Sequence, residues 1–128
     1  MTDTVIDPTA LTALIDRYVA QWHETDPAAR RRLIEAIWAP DGSNYTASFE
    51  VHGHDALETR VRTAHEKWVR DEACVFRPRH TAAHHDAIRF VWDMARCDGT
   101  IASVGVEILL LAPDGRIRAD YQFIEPAA

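Results

Sequence analysis

The periodicity of the chain changes once, near Asp71, and that change limits the architecture more than any other feature. Before it, apolar residues recur three and four apart: Leu11, Leu14, Ile15, Tyr18, Val19 and Trp22, then Leu33, Ile34, Ile37 and Trp38, then Leu57, Val61, Ala64, His65 and Trp68. Such spacing lines one face of a helix. After it the repeat becomes two, as where Ile88, Phe90, Trp92 and Met94 alternate with Arg89, Val91 and Asp93, the pattern of a strand with two unlike faces. Helices first and antiparallel strands later predict an α+β fold, with 128 residues fitting one domain over positions 1–128.

Local signals set the expected boundaries. The first helix runs from about Pro8 to Thr25. Asp26-Pro27 then supplies an N-cap acceptor and a proline at the first helical position. The second helix stops at the turn signal Pro40-Asp41-Gly42, and Asn44–Val51 reads as a strand pair or a strand with a bend. Asp55 can cap a third helix reaching about Arg70, with Glu58, Arg60, Arg62 and Lys67 on its wet side. Four strand candidates follow: Cys74–Thr81, where Pro78 suggests an edge or a bulge, then Asp86–Ala95, Thr100–Ala112 and Ile117–Glu125. Asp98-Gly99 and Pro113-Asp114-Gly115-Arg116 are the turns between the last three.

Charge and composition narrow the function classes. With 14 basic and 20 acidic residues the formal net charge is -6, which disfavours nucleic-acid and anionic-membrane partners. The one basic cluster, Arg30-Arg31-Arg32, lies beside acidic residues and reads as a solvated helical face. Cys74 and Cys97 lack metal-like spacing and read as reduced thiols, and Met1–Pro8 has neither the basic start nor the apolar run of a secretory leader. Val104–Ala112 is too short to span a bilayer. A cytoplasmic protein is the expectation. The five glycines form no phosphate-cradling pattern, and His80, His84 and His85 lack helical i,i+4 geometry or a carboxylate companion. Neither a cofactor nor a metal is expected.

Several phrases carry a family resemblance. Arg17-Tyr18-Val19-Ala20-Gln21-Trp22, Ile37-Trp38-Ala39-Pro40-Asp41-Gly42 and Val51-His52-Gly53-His54-Asp55-Ala56-Leu57 resemble the first helix, second-helix end and strand–Gly–helix entry of the nuclear transport factor 2-like superfamily. His84-His85-Asp86, Arg89-Phe90-Val91-Trp92, Asp98-Gly99 and Asp114-Gly115-Arg116-Ile117 are similar to its SnoaL-like subgroup. The resemblance implies a cone-shaped roll of N-terminal helices packed on a curved antiparallel sheet, enclosing one pocket for a hydrophobic small molecule. It does not fix the activity, because one fold hosts many.

The resemblance also implies where chemistry would sit. By resemblance to ketosteroid isomerase, the oxyanion tyrosine corresponds to Tyr18 and the oxyanion carboxylic acid to Glu107. The general base corresponds to Thr46, which cannot accept a proton in the useful range, so steroid-type isomerisation is not expected. Asp120 on the last strand is the replacement candidate, Arg89 could orient a partner, and His65 is a further acid or base. Trp22, Trp38, Thr46 and Trp68 are expected pocket-lining residues, together with Arg89, Leu109, Gln122 and Ile124.

Strand alternation argues the other way. Val104, Val106, Ile108 and Leu110 form the more apolar face of their strand, opposite Ser103, Gly105 and Glu107. Ile117, Ala119, Tyr121 and Phe123 likewise oppose Arg118, Asp120 and Gln122. Alternation alone therefore turns both carboxylates to water. The resemblance turns them inward and covers the apolar face with a second copy, a homodimer through the sheet. Two functions stay open: a cofactor-independent enzyme, either a lyase, isomerase or cyclase or of epoxide-hydrolase type, and a non-catalytic ligand-binding or dimerisation module.

Overall fold

A computed structural model describes residues 7–126. Helix α1 spans Pro8–His23, and Asp7 caps it by accepting from the Ala10 amide at 2.9 Å. Helix α2 spans Pro27–Ile37, with Asp26 accepting from the Ala29 amide at 2.9 Å and proline in the first turn, as the sequence predicts. It ends earlier than expected. The Pro40-Asp41-Gly42 segment lies within strand β1, Trp38–Tyr45, whose pairing with the last strand is irregular between Trp38 and Ser43. These residues bulge the strand rather than end it.

Strand β2, Glu50–His52, pairs back on β1 and leads into α3, Gly53–Ala64. Asp55 does not cap α3; it lies in the first turn and bonds Arg31 Nη1 at 2.8 Å. Beyond Ala64 the helix widens into a π-helical segment, His65–Asp71. Strands β3 (Val75–His84), β4 (Ala87–Ala95), β5 (Ile101–Leu111) and β6 (Ile117–Pro126) follow.

Three helices thus pack on a curved, unclosed six-stranded sheet of order β2-β1-β6-β5-β4-β3, the expected α+β architecture. The sheet is antiparallel except where β1 and β6 run parallel. That pairing closes the first strand, entered from α2, against the last one. It also brings Asn44 opposite Asp120.

The basic cluster is not the solvated face the sequence suggests. Arg30 is buried, donating from Nε and Nη2 to the Glu24 carbonyl at 3.2 and 2.8 Å. Arg31 ties α2 to α3 through Asp55 and Glu58, each at 2.8 Å. Of the three, only Arg32 is exposed.

Strands β5 and β6 decide the site. Throughout β5 the buried positions are Ser103, Gly105, Glu107, Leu109 and Leu111, while Val104, Val106, Ile108 and Leu110 are only partly covered. Strand β6 carries an extra residue: Leu111 pairs with Ile117 but Leu110 pairs with Ala119, leaving Arg118 as a bulge. One inserted residue reverses the faces of everything after it. Ile117 and Asp120, three apart, therefore both point inward, and each is fully buried.

Candidate functional site

The inner face of the sheet and the buried stripe of α1 meet at a group of four polar side chains. Tyr18, on α1, places its hydroxyl 2.6 Å from Asp120 Oδ2 and 2.9 Å from Glu107 Oε1. Trp92 Nε1, on β4, donates to Glu107 Oε2 at 2.9 Å. Its ring lies flat against Gly105, its cross-strand partner, where a Cβ would sit 2.0 Å from Trp92 Cζ2. The absent side chain is what lets the indole reach Glu107.

Hydrogen counting constrains the protonation. A tyrosine hydroxyl has one hydrogen to donate, yet two carboxyl oxygens are within hydrogen-bond range of it. One of the two contacts must take its hydrogen from the carboxyl side. Burial first, and then the neighbouring Glu107, push the Asp120 carboxyl well above its ordinary value. Asp120 thus holds the hydrogen and donates to Tyr18, and Tyr18 donates to Glu107. Asp120 Oδ1 is buried with no hydrogen-bond partner among the described residues, a cost much smaller for a neutral acid than for a carboxylate. Burial, with Asp120 and Glu107 beside it, also pushes the Tyr18 phenol up, so it stays a donor at neutral pH.

Above this group lies a cavity of about 360 Å³. Tyr18, Val19 and Trp22 enter it from α1, Arg60 and Ala64 from α3, and Trp68 from the π-helical segment. Phe76, Phe90, Trp92 and Met94 form the wall from β3 and β4, and Ser103, Gln122 and Ile124 that from β5 and β6. Glu107 and Asp120 do not line it. Tyr18 both touches the cavity and bonds the two acids.

The expected site residues divide accordingly. Tyr18, Glu107 and Asp120 come together, and Trp22, Trp68, Gln122 and Ile124 line the cavity. His65 does not join them: it is buried with Nδ1 2.8 Å from the Trp22 carbonyl and bridges the π-helical segment to α1. Trp38 is fully buried and donates to Gln21 Oε1 at 3.0 Å, outside the lining, and Leu109 is core. Thr46 belongs to the β1–β2 turn, where its hydroxyl accepts from the Ser48 and Phe49 amides. Arg89 is exposed on the outer face of β4, because it alternates with the buried Ile88 and Phe90.

Sequence reasoning placed Arg60 on the wet side of its helix, and it is not there. Its guanidinium turns into the cavity, with Nε donating to Asn44 Oδ1 at 3.3 Å and Nη2 to Gln122 Oε1 at 2.9 Å. The signal was present: Arg60 lies three residues after Leu57 and four before Ala64, on the edge of the buried stripe. Asn44, which holds it, gave no such signal.

This arrangement has the fold of the nuclear transport factor 2-like proteins, with a buried tyrosine–diacid group under an apolar cavity. An Agrobacterium tumefaciens strain C58 protein of the SnoaL-like family, to which an isomerase activity is ascribed, superposes with a TM-score of 0.82 at 23% identity, covering 91% of this chain and 98% of the other. A nuclear transport factor 2-like protein of unknown function from an Exiguobacterium species gives 0.68 at 21% identity, over 89% and 99% of the two chains. A Sinorhizobium meliloti protein ascribed to the polyketide cyclases gives 0.68 at 15% identity, over 92% and 100%. At these identities the likeness is one of fold. No protein-family profile matches the sequence, and no curated protein does.

Proposed function

We propose that the protein is a cofactor-independent isomerase, lyase or cyclase that moves a proton to or from an oxygen of a hydrophobic small molecule. One observation carries this reading: the Tyr18 hydroxyl touches two buried acids, at 2.6 and 2.9 Å, while its residue lines an apolar cavity. A substrate oxygen that reaches Tyr18 takes the phenolic hydrogen, and Tyr18 is refilled from Asp120. The net step transfers one proton from Asp120 to the substrate oxygen, and its reverse returns it. Glu107 keeps its bond from Trp92 and gives up the one from Tyr18 while the hydrogen is on the substrate, and the negative charge left on Asp120 is discharged when the proton returns. Such a relay supplies the acid half of an enolisation, the carbon-bound proton passing to solvent water, or protonates a hydroxyl group that departs as water.

A non-catalytic binding module is the second reading. It is favoured by the position of the two acids behind the cavity wall and by Thr46 in a turn, where no base is supplied. The test is a panel of hydrophobic ketones and secondary alcohols incubated in heavy water and followed by NMR for isomerisation, dehydration or deuterium incorporation. The wild type is expected to turn over at least one, and Asp120→Asn to lower that rate by about 100-fold or more at unchanged ligand affinity. Ligands that bind without any turnover support the module instead.

The same reading assigns the outer sheet face to a second copy of the chain. Phe123 is 59% exposed and Tyr121, stacked on Tyr45 at 4.7 Å, is 42% exposed. Beside them lie the partly covered Val106 and Ile108, their cross-strand partners. A contiguous apolar face of this kind is a protein interface when it is not core.

A further inference from the structure

The Arg60 guanidinium faces a largely apolar cavity, with no carboxylate bonded to it among the described residues. Both of its acceptors, Asn44 Oδ1 and Gln122 Oε1, are neutral amide oxygens. Aromatic faces enclose it, Trp22 at 5.2 Å and Phe49 at 4.9 Å from ring centroid to Cζ. The acids of its own helix are engaged elsewhere, since Asp55 and Glu58 both bind Arg31. Glu107 and Asp120 attract it through space, but their hydrogen bonds run to Tyr18 and Trp92.

A guanidinium has five N–H groups. Arg60 uses one on Nε and one on Nη2, so the remaining three meet no acceptor among the described residues. The two amides fix the plane of the fork while leaving donors unfilled. A planar fork of this kind matches a carboxylate with two parallel hydrogen bonds, and stacking on aromatic faces keeps it in place when the cavity empties.

We propose that the ligand of this cavity is an apolar organic acid whose carboxylate is held by Arg60 while its body packs against Trp22, Phe76, Phe90 and Trp92. The proposal rests on reading the cavity as a ligand site, and it narrows the substrate class to compounds with an anionic anchor and a second oxygen within reach of Tyr18. The competing role, Arg60 as a counter-charge for the buried acid pair alone, gives no reason to distinguish a carboxylate from an uncharged ligand of the same shape.

The experiment compares 2-naphthoate with 2-naphthamide by titration calorimetry on the full chain. The wild type is expected to bind the acid at least about tenfold tighter than the amide. Arg60→Gln, which keeps a polar side chain at a partly buried position, is expected to erase that preference by weakening 2-naphthoate more than 2-naphthamide. Arg60→Lys, with charge but no fork, is expected to retain part of it. Equal affinities in the wild type, or a preference that survives Arg60→Gln, overturn the proposal and leave the cavity reading standing. Failure of both compounds to bind at millimolar concentration overturns both.

Discussion

The two faces of strands β5 and β6 reverse the usual arrangement of an amphipathic sheet. The inner face carries Glu107, Asp120 and Gln122, all buried, and the outer face carries Val106, Ile108, Tyr121 and Phe123, all at least partly exposed. Greasy residues ordinarily go inside because burying apolar area is favourable and burying a charge is not. The inner face tolerates its acids for two reasons. Tyr18 and Trp92 satisfy Glu107, and Asp120 is held neutral. Unlike the inner face, the outer face has no such internal compensation, and a second copy would supply it. Polarity alone thus identifies that the faces differ, and not which one is the interior.

The largest expected effect comes from removing the acid that organises the inner face. Glu107→Ala leaves the Trp92 N–H without an acceptor and the Tyr18 hydroxyl with Asp120 alone, and a loss of about 3 kcal/mol is expected in urea unfolding. An unchanged midpoint would mean that water already serves those donors. Next comes Gly105→Ala, whose Cβ falls on the Trp92 ring. Overpacking is expected to cost roughly 2 kcal/mol and to change the near-ultraviolet circular dichroism of the indole. A changed indole signal at unchanged stability would show that Trp92 can leave Glu107 at little cost, and retention of both would show that the strands make room for the Cβ.

Asp120 sharpens the comparison through pH. Its folded-state value is raised above the ordinary 3.8, so the folded protein binds the proton more tightly than the unfolded chain does. The stability gained from the neutral acid is complete below that ordinary value and is lost as pH rises through the raised one. Relative to Asp120→Asn, the wild type is expected to lose up to about 1.4 kcal/mol per pH unit across that window. Parallel stability curves for the two proteins would take the shared proton away from Asp120. The smallest effect belongs to the outer face. Phe123→Ser is expected to shift monomer stability by no more than about 0.5 kcal/mol while weakening self-association in sedimentation. A large loss of stability would make that face part of the core.

Much of the scaffold was legible before any coordinates. The apolar stripe of α1, the cap at Asp26, and the Ile88–Phe90–Trp92–Met94 face follow from spacing and side-chain chemistry that act within a few residues. Tyr18, Glu107 and Asp120 were singled out from resemblance, the two acids against the direction of their own strands' alternation. His65 misled because a histidine on a buried helical face looks the same whether it meets a ligand or a backbone carbonyl. Arg60 was missed because its long side chain leaves the helix at the edge of the stripe and can turn either way.

The sequence by itself determined where helices and strands form, because those choices depend on contacts three, four or two residues apart. Tertiary structure alone decided which wall of the sheet is the inside. Alternation has no sign, and the extra residue at Arg118, which turns Asp120 to the same side as Ile117, leaves no local trace. The pairing of Tyr18 with acids 89 and 102 positions away exists only once α1 lies across β5 and β6. That long-range packing decided the site.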